Sequence, residues 1–415
     1  MAIKKVILHL GMAKAGSSSI QHALFNNAAV LEKNGFRYLT EWGENHLIKF
    51  KYLFSSYPVS PASTGNLGRP LRRRKQHCRN AIETLLNVIN TSKCETLILS
   101  GEFSAELWID STIKNIKKFI EKYFQSNDIE TTIIFLARNP LTWTISFLQQ
   151  RLFKDGFMNK NSDFFEFAMK QYNGIINLEK HFSSSLILLK FEDSCLDKDG
   201  LLGCFLKEIG FRVEELKSIN ITKINESRCM EVMELVNYIE AVEPRHPYNN
   251  YRRVNPNRSI DDFDCIINIK GVKFDLPYQS KVELFSRFQE TINLLKTSTN
   301  IDYTDYEIPS PLGQETYGEQ TINEFAEAFP KLSIPLQKHF LKFFEKKYME
   351  TAHVKFQQLY AKGSIPREEY DKKNVFTSYL KLRIKNKKHH AKKLIIDILP
   401  HQIRKSLKKI VGKQE

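Results

Sequence analysis

Two rhythms of apolar residues alternate along the first half of the chain. Short continuous apolar runs occupy Val6–Leu10, Thr96–Ser100, Ile133–Ala137 and Leu186–Lys190, the pattern of strands buried on both faces of a parallel sheet. Between them apolar residues return every three or four positions, which predicts helices over Ser17–Asn34, Ser111–Tyr123, Pro140–Leu152, Phe164–Tyr172 and Leu201–Ile209. Strands alternating with helices predict an α/β fold built on a doubly wound parallel sheet. Ligands of such sheets sit outside the carboxyl ends of the strands. Gly11–Ser19, Gly101-Glu102 and Arg138 would all emerge at that edge.

The second half reads differently. Residues 242–321 show little periodicity and many Asn, Asp and Tyr, as expected of an irregular elaboration over the active face. Leu336, Phe340, Phe343 and Phe344 then predict a long amphipathic helix within Ile334–Tyr360, closing the domain. This gives one domain over 1–365 with helical C-terminal additions, a linker over 366–380 and a separate tail over 381–415. Ser55–Gly68, rich in Ser, Pro and Gly, reads as a loop. The basic run Arg72–Lys75 after it reads first as a solvated helix start, and second as a face for an anionic acceptor. Arg252-Arg253 is a weaker candidate for a phosphate contact.

At 415 residues, 42% hydrophobic and with 29 phenylalanines, the chain can bury a full core. Its six cysteines are scattered without ligand-like spacing, so neither disulfides nor a zinc site are expected. Met1–Lys5 before an apolar run has the look of a short signal peptide. The run breaks at His9 and passes into the glycine loop, so it reads as the first strand of a cytoplasmic protein. No stretch approaches the roughly 18 apolar residues of a membrane span. The net charge of +15 is concentrated: residues 381–415 hold twelve Lys/Arg against Asp397 and Glu415. With so little excess elsewhere, nucleic acid is not an expected partner.

Two motifs carry chemistry. Gly11-Met-Ala-Lys14-Ala15-Gly16-Ser17-Ser18-Ser19 follows a strand and opens a helix, which aims backbone N–H groups and a helix N-terminus at one point. Lys14 adds a point charge. A nucleotide-triphosphatase loop needs Lys immediately before Ser/Thr, whereas Lys14 lies two residues before Gly16. The second motif, Arg138-Asn-Pro-Leu-Thr-Trp-Thr-Ile-Ser146, places a cation at a strand end where a nucleotide-binding ATPase would place Asp for magnesium. Pro140 suits the first turn of a helix. The pair describes a phosphate cradle that uses protein charge and no metal.

Together the two motifs resemble the sulfotransferase family that uses 3′-phosphoadenosine 5′-phosphosulfate (PAPS). In that family a Lys-x-Gly-[Ser/Thr]-[Ser/Thr] loop after the first strand holds the 5′-phosphosulfate, which here corresponds to Lys14, Ala15, Gly16, Ser17 and Ser18. An Arg-(x)7-Ser element holds the 3′-phosphate, corresponding to Arg138 and Ser146. The resemblance implies a P-loop-like sulfotransferase fold and sulfuryl transfer from PAPS to an acceptor hydroxyl on a glycan or glycolipid precursor.

Such a transfer needs a cation on the leaving oxygen, donors around the sulfuryl group and a base for the hydroxyl. Lys14 is the cation. For the base, carbohydrate-type members often use a His or Glu between the first helix and the second main strand, which points to His46, with Glu102 as an essential neighbour or the base itself. Glu44 is a third choice. The Lys190-Phe-Glu192-Asp193 run also resembles a recurring family element and reads as structural. Two other readings stay open: a kinase-like phosphotransferase on a P-loop fold, and a non-catalytic nucleotide-binding module tethered to membranes. In the tail, Leu394, Ile395, Ile398 and Leu399 before Pro400 and Ile403, Leu407, Ile410 and Val411 after it form apolar faces ringed by lysines and arginines. Such helices suit an anionic membrane surface, here the inner face of the cytoplasmic membrane, or a protein partner.

Overall fold

The computed structural model describes residues 3–56, 71–155, 164–219, 227–245, 255–259, 261–310 and 318–347. The linker and tail, the Arg252-Arg253 pair and most of the Ser55–Gly68 loop lie outside them. The chain forms two compact units, each discontinuous in sequence. Among the described residues, the first comprises 3–56, 71–143, 164–219 and 285–306; the second comprises 144–155, 227–245, 255–259, 261–284, 307–310 and 318–347.

The first unit holds a five-stranded sheet of β1 (Lys5–His9), β2 (Phe36–Tyr38), β3 (Thr96–Ser100), β4 (Glu130–Ala137) and β5 (Leu186–Lys190). Its order is β2-β3-β1-β4-β5 and every pairing is parallel. The chain steps one way from β1 to β2 and the other way from β2 through β5. With right-handed crossovers, those opposite steps put the connecting helices on opposite faces. The sheet is therefore doubly wound, as the alternating pattern predicts. Val6, Ile7, Leu8, Leu97, Ile98, Leu99 and Ile133–Ala137 have no exposed surface, and each large apolar side chain so buried contributes about 1.5–3 kcal/mol. β1 is the central strand, with Ile7 flanked by Ile98 and Thr132.

The helices in chain order are α1 (Ser17–Asn26), α2 (Ala28–Lys33), α3 (Leu47–Phe54), α4 (Leu71–Thr91), α5 (Asp110–Tyr123), α6 (Pro140–Asp155), α7 (Phe164–Phe182), α8 (Phe191–Leu196), α9 (Gly200–Glu208), α10 (Met230–Val242), α11 (Tyr278–Arg287), α12 (Gln289–Ser298), α13 (Glu319–Ala328) and α14 (Ile334–Lys347). The expected helix over Ser17–Asn34 is broken at Asn27. Its backbone leaves the helical region (φ −107°, ψ 19°), while its side-chain amide joins its own N–H on Ala23 O, at 2.8 and 3.0 Å.

Two helices occupy the stretch read as irregular. α11 and α12 bury Leu284, Phe285, Phe288, Ile292 and Leu295, and residues 285–306 belong to the sheet-bearing unit. The second unit has its own core, in which Val232, Leu235, Val236 and Ile239 of α10 pack with Phe325, Leu336, Phe340 and Phe344 of α13 and α14. Leu336, Phe340, Phe343 and Phe344 are buried as their spacing predicts. Among the described residues, no helix is long and apolar enough to cross a membrane.

Candidate active site

β1 hands its register to the loop that follows. Leu10 N–H donates to Ile134 O, Met12 N–H to Leu136 O and Leu136 N–H to Gly11 O, so the ladder with β4 continues past the strand end. The loop then turns sharply. Lys14 has φ 66° and Gly16 has φ 77°, both in the left-handed region that glycine tolerates and lysine resists. A Cβ on Gly16 would fall inside the envelope of Leu201 Cδ2 and 3.2 Å from the Phe191 ring. Gly16 is the N-cap of α1 and offers no side-chain cap. The first intrahelical bond is Ser19 N–H to Gly16 O at 3.0 Å, so the amides of Ser17 and Ser18 precede it and face the helix N-terminus.

The serines divide their work. Ser17 is buried and donates to Met12 O at 2.9 Å, so its hydroxyl braces the loop rather than reaching outward. This corrects the expectation that it binds the donor through its side chain. Ser18, half-buried, donates to Glu102 Oε1 at 3.0 Å. Glu102 arrives from β3 on a backbone still tied to β1, because Gly101 N–H donates to His9 O and Phe103 N–H to Leu10 O. Ser104, two residues further on, accepts from Ala13 N–H at 3.3 Å.

Arg138, at the end of β4, reaches the same loop. Its guanidinium donates through Nη1 to Lys14 O and through Nε to Thr142 Oγ1 at 3.1 Å, and lies 4.6 Å over the Phe191 ring. Burial draws its pKa below the usual guanidinium range, and the nearby Glu192 carboxylate works against that fall. Glu192 accepts from Asn139 N–H (3.1 and 3.2 Å) and Thr142 Oγ1 (2.7 Å). Asn139 Oδ1 in turn caps α6 through Leu141 N–H at 2.9 Å. The structural reading of the run around Glu192 thus has a concrete form. Ser146 lies two turns into α6, within the second unit.

His46 is placed elsewhere in character. It has no exposed surface; its ring stacks on Tyr38 at 4.8 Å and meets Trp42 edge-on at 5.5 Å. Its Nδ1 accepts Ser100 N–H at 3.0 Å, which consumes the lone pair a base would use. Burial pushes its pKa down to about 3, with the carbonyls of Gly43 and Leu39 opposing. His46 is therefore corrected from base to an internal brace for the end of β3. A second buried histidine, His9, lies beside the same residue, with Nδ1 2.7 Å from Ser100 Oγ; burial lowers its pKa to about 4. Glu44 pairs with His22 at 3.3 Å and is half-exposed.

Sequence reasoning missed the supporting contacts of Ser104, Trp143 and Tyr303. The signal for the first was available, since Ser104 lies two residues beyond Glu102. Trp143 Nε1–H donates to Ala13 O at 2.9 Å, and Tyr303 O–H to Ala137 O at 2.9 Å. Among the described residues, no group of three or more His, Cys, Asp or Glu is arranged to hold a metal ion.

No protein-family model and no curated protein sequence matches this chain. Two solved structures are similar in arrangement. One is a sulfotransferase from Alicyclobacillus acidocaldarius, 11% identical, covering 55% of this chain and 87% of its own, with a TM-score of 0.33. The other is a retinol dehydratase in complex with androsterone and the inactive cofactor PAP, 12% identical, covering 74% of this chain and 84% of its own, with a TM-score of 0.32.

Proposed function

We propose that this chain is a sulfotransferase that moves a sulfuryl group from PAPS to an acceptor hydroxyl. The observation that carries this reading is the convergence of both motifs on one loop: Arg138 donates to Lys14 O across 124 residues of chain, and Ser18 touches Glu102. The Lys14 ammonium, the Ser17 and Ser18 amides and the α1 N-terminus would hold the 5′-phosphosulfate. Arg138 would hold the 3′-phosphate, an interaction suited to a guanidinium fork.

In the transfer, the acceptor oxygen bonds to sulfur as the sulfur–oxygen bond to the 5′-phosphate breaks. The electron pair leaves on the phosphate oxygen, where Lys14 stabilises it. The hydroxyl proton passes to Glu102, the carboxylate that adjoins the loop, while His46 holds the backbone that presents it. A kinase-like reading is disfavoured by Arg138 at a strand end that would carry a magnesium-binding Asp.

The acceptor is proposed to be a glycan or glycolipid precursor at the inner face of the membrane. The basic apolar-faced pattern of residues 381–415 supports that location. Calorimetry with adenosine 3′,5′-bisphosphate and with 5′-AMP tests the donor assignment. The bisphosphate should bind far more tightly, and Arg138→Ala should cost it about 1.5–3 kcal/mol; equal affinity for the two nucleotides defeats the proposal. Incubation with labelled PAPS and a glycan extract then identifies the acceptor.

A further inference from the structure

Lys14 is a non-glycine residue held at φ 66°, a conformation that persists only where its surroundings over-determine it. Both peptide planes beside it are pinned. The carbonyl before it, Ala13 O, accepts the Trp143 indole N–H at 2.9 Å. The carbonyl after it, Lys14 O, accepts from Arg138 Nη1. The amide on the far side of Ala13 is held by Ser104 Oγ at 3.3 Å.

Trp143 has no exposed surface and is walled by Phe167 (6.0 Å) and Tyr172 (6.5 Å, edge-on). A buried indole has one polar group and must find it an acceptor. Here that acceptor is the carbonyl whose orientation decides whether Lys14 keeps its left-handed turn. Rotation of the Ala13–Lys14 peptide would re-aim the lysine side chain, and it is opposed by a ring that cannot itself rotate in its aromatic nest.

We propose that Trp143 is a positioning residue that fixes the Ala13–Lys14 peptide and thereby aims the Lys14 ammonium. The role of that ammonium rests on the sulfuryl-transfer reading; the fixing of the peptide does not. Trp143→Phe keeps an aromatic ring and removes the N–H. Amide hydrogen exchange of residues 13–16 should rise by about tenfold or more, with β1 and β4 unchanged. The affinity for adenosine 3′,5′-bisphosphate should stay within about threefold, while formation of that bisphosphate from PAPS in the presence of acceptor falls about 10–100-fold, the cost of misplacing a catalytic group by a fraction of an ångström to an ångström.

Unchanged exchange in the loop overturns the proposal, as does a loss of bisphosphate affinity that matches the loss of turnover. Should the substitution unfold the chain, the wild-type indole proton decides: slow exchange of the Trp143 N–H supports the clamp and fast exchange overturns it. A wild-type chain that neither binds the bisphosphate nor turns over PAPS defeats the sulfotransferase reading alone, because the exchange measurements need no ligand.

Discussion

Gly16→Ala tests the loop in a way that a paired substitution makes quantitative. Alanine at φ 77° meets the left-handed penalty of about 1–2 kcal/mol, less about 0.4–1 kcal/mol recovered from a stiffer unfolded chain. It also meets side chains. Leu201 Cδ2 is a tip that can rotate away, but the Phe191 ring at 3.2 Å cannot move without lifting off the Arg138 guanidinium. Overpacking of that kind adds about 1–3 kcal/mol, and the mobile Leu201 favours the lower half. Gly35 is the matched control: its φ is 83° and a Cβ there meets nothing within 4 Å. Gly35→Ala therefore reports the backbone penalty alone. All three tryptophans (Trp42, Trp108 and Trp143) lie in the sheet-bearing unit, so tryptophan fluorescence during urea unfolding reports on that unit. Gly16→Ala should cost about 1–2 kcal/mol more than Gly35→Ala and should weaken bisphosphate binding, which Gly35→Ala leaves intact. Equal costs and equal binding would refute the crowding of this loop by Phe191 and Leu201.

Three further outcomes follow. Glu102→Gln should lower turnover of labelled PAPS by about 10²–10⁴-fold with bisphosphate affinity retained, whereas His46→Gln should chiefly lower the urea midpoint; the reverse pattern would restore His46 as base. The unfolded-state pKa of both His9 and His46 is near 6.5 and burial holds them at about 4 and about 3, so stability is complete above pH 6.5 and falls as the pH drops below it. Between pH 6.5 and 5 the loss should be about 1.5 kcal/mol per histidine, and a flat urea midpoint over that range contradicts their burial as neutral rings. Vesicle co-sedimentation of the full chain should require anionic lipid, weaken with salt and disappear when the chain ends at Tyr379; equal sedimentation of both chains removes the tail from the membrane.

Four strands were legible because each is an apolar run too continuous for a half-exposed element. β2 was not, since three residues, Phe36–Tyr38, carry too little pattern. Asn27 hid its break because the apolar spacing runs through it and only its non-helical backbone ends the helix. The helices over 278–298 had a signal, Leu284, Phe285, Phe288, Ile292 and Leu295, which the surrounding Asn, Asp and Tyr residues diluted. At the site, the spacing placed Lys14, Gly16 and Arg138 at strand ends, and the structure brings Arg138 to the Lys14 carbonyl. His46 could not be read in this way, because one imidazole in a sequence looks the same whether it opens to substrate or gives its lone pair to Ser100 N–H.

The carboxylate of Glu192 has a consequence for ion traffic at this edge of the sheet. Two helices begin there, α1 and α6, and each start would attract an anion from solution. Glu192 occupies the second, accepting from Asn139 N–H and Thr142 Oγ1. The start of α1 has no side-chain cap. The start of α6 is therefore closed to simple oxyanions. On the sulfotransferase reading, inhibition by sulfate or phosphate should be relieved by excess donor and should be unaffected by the start of α6.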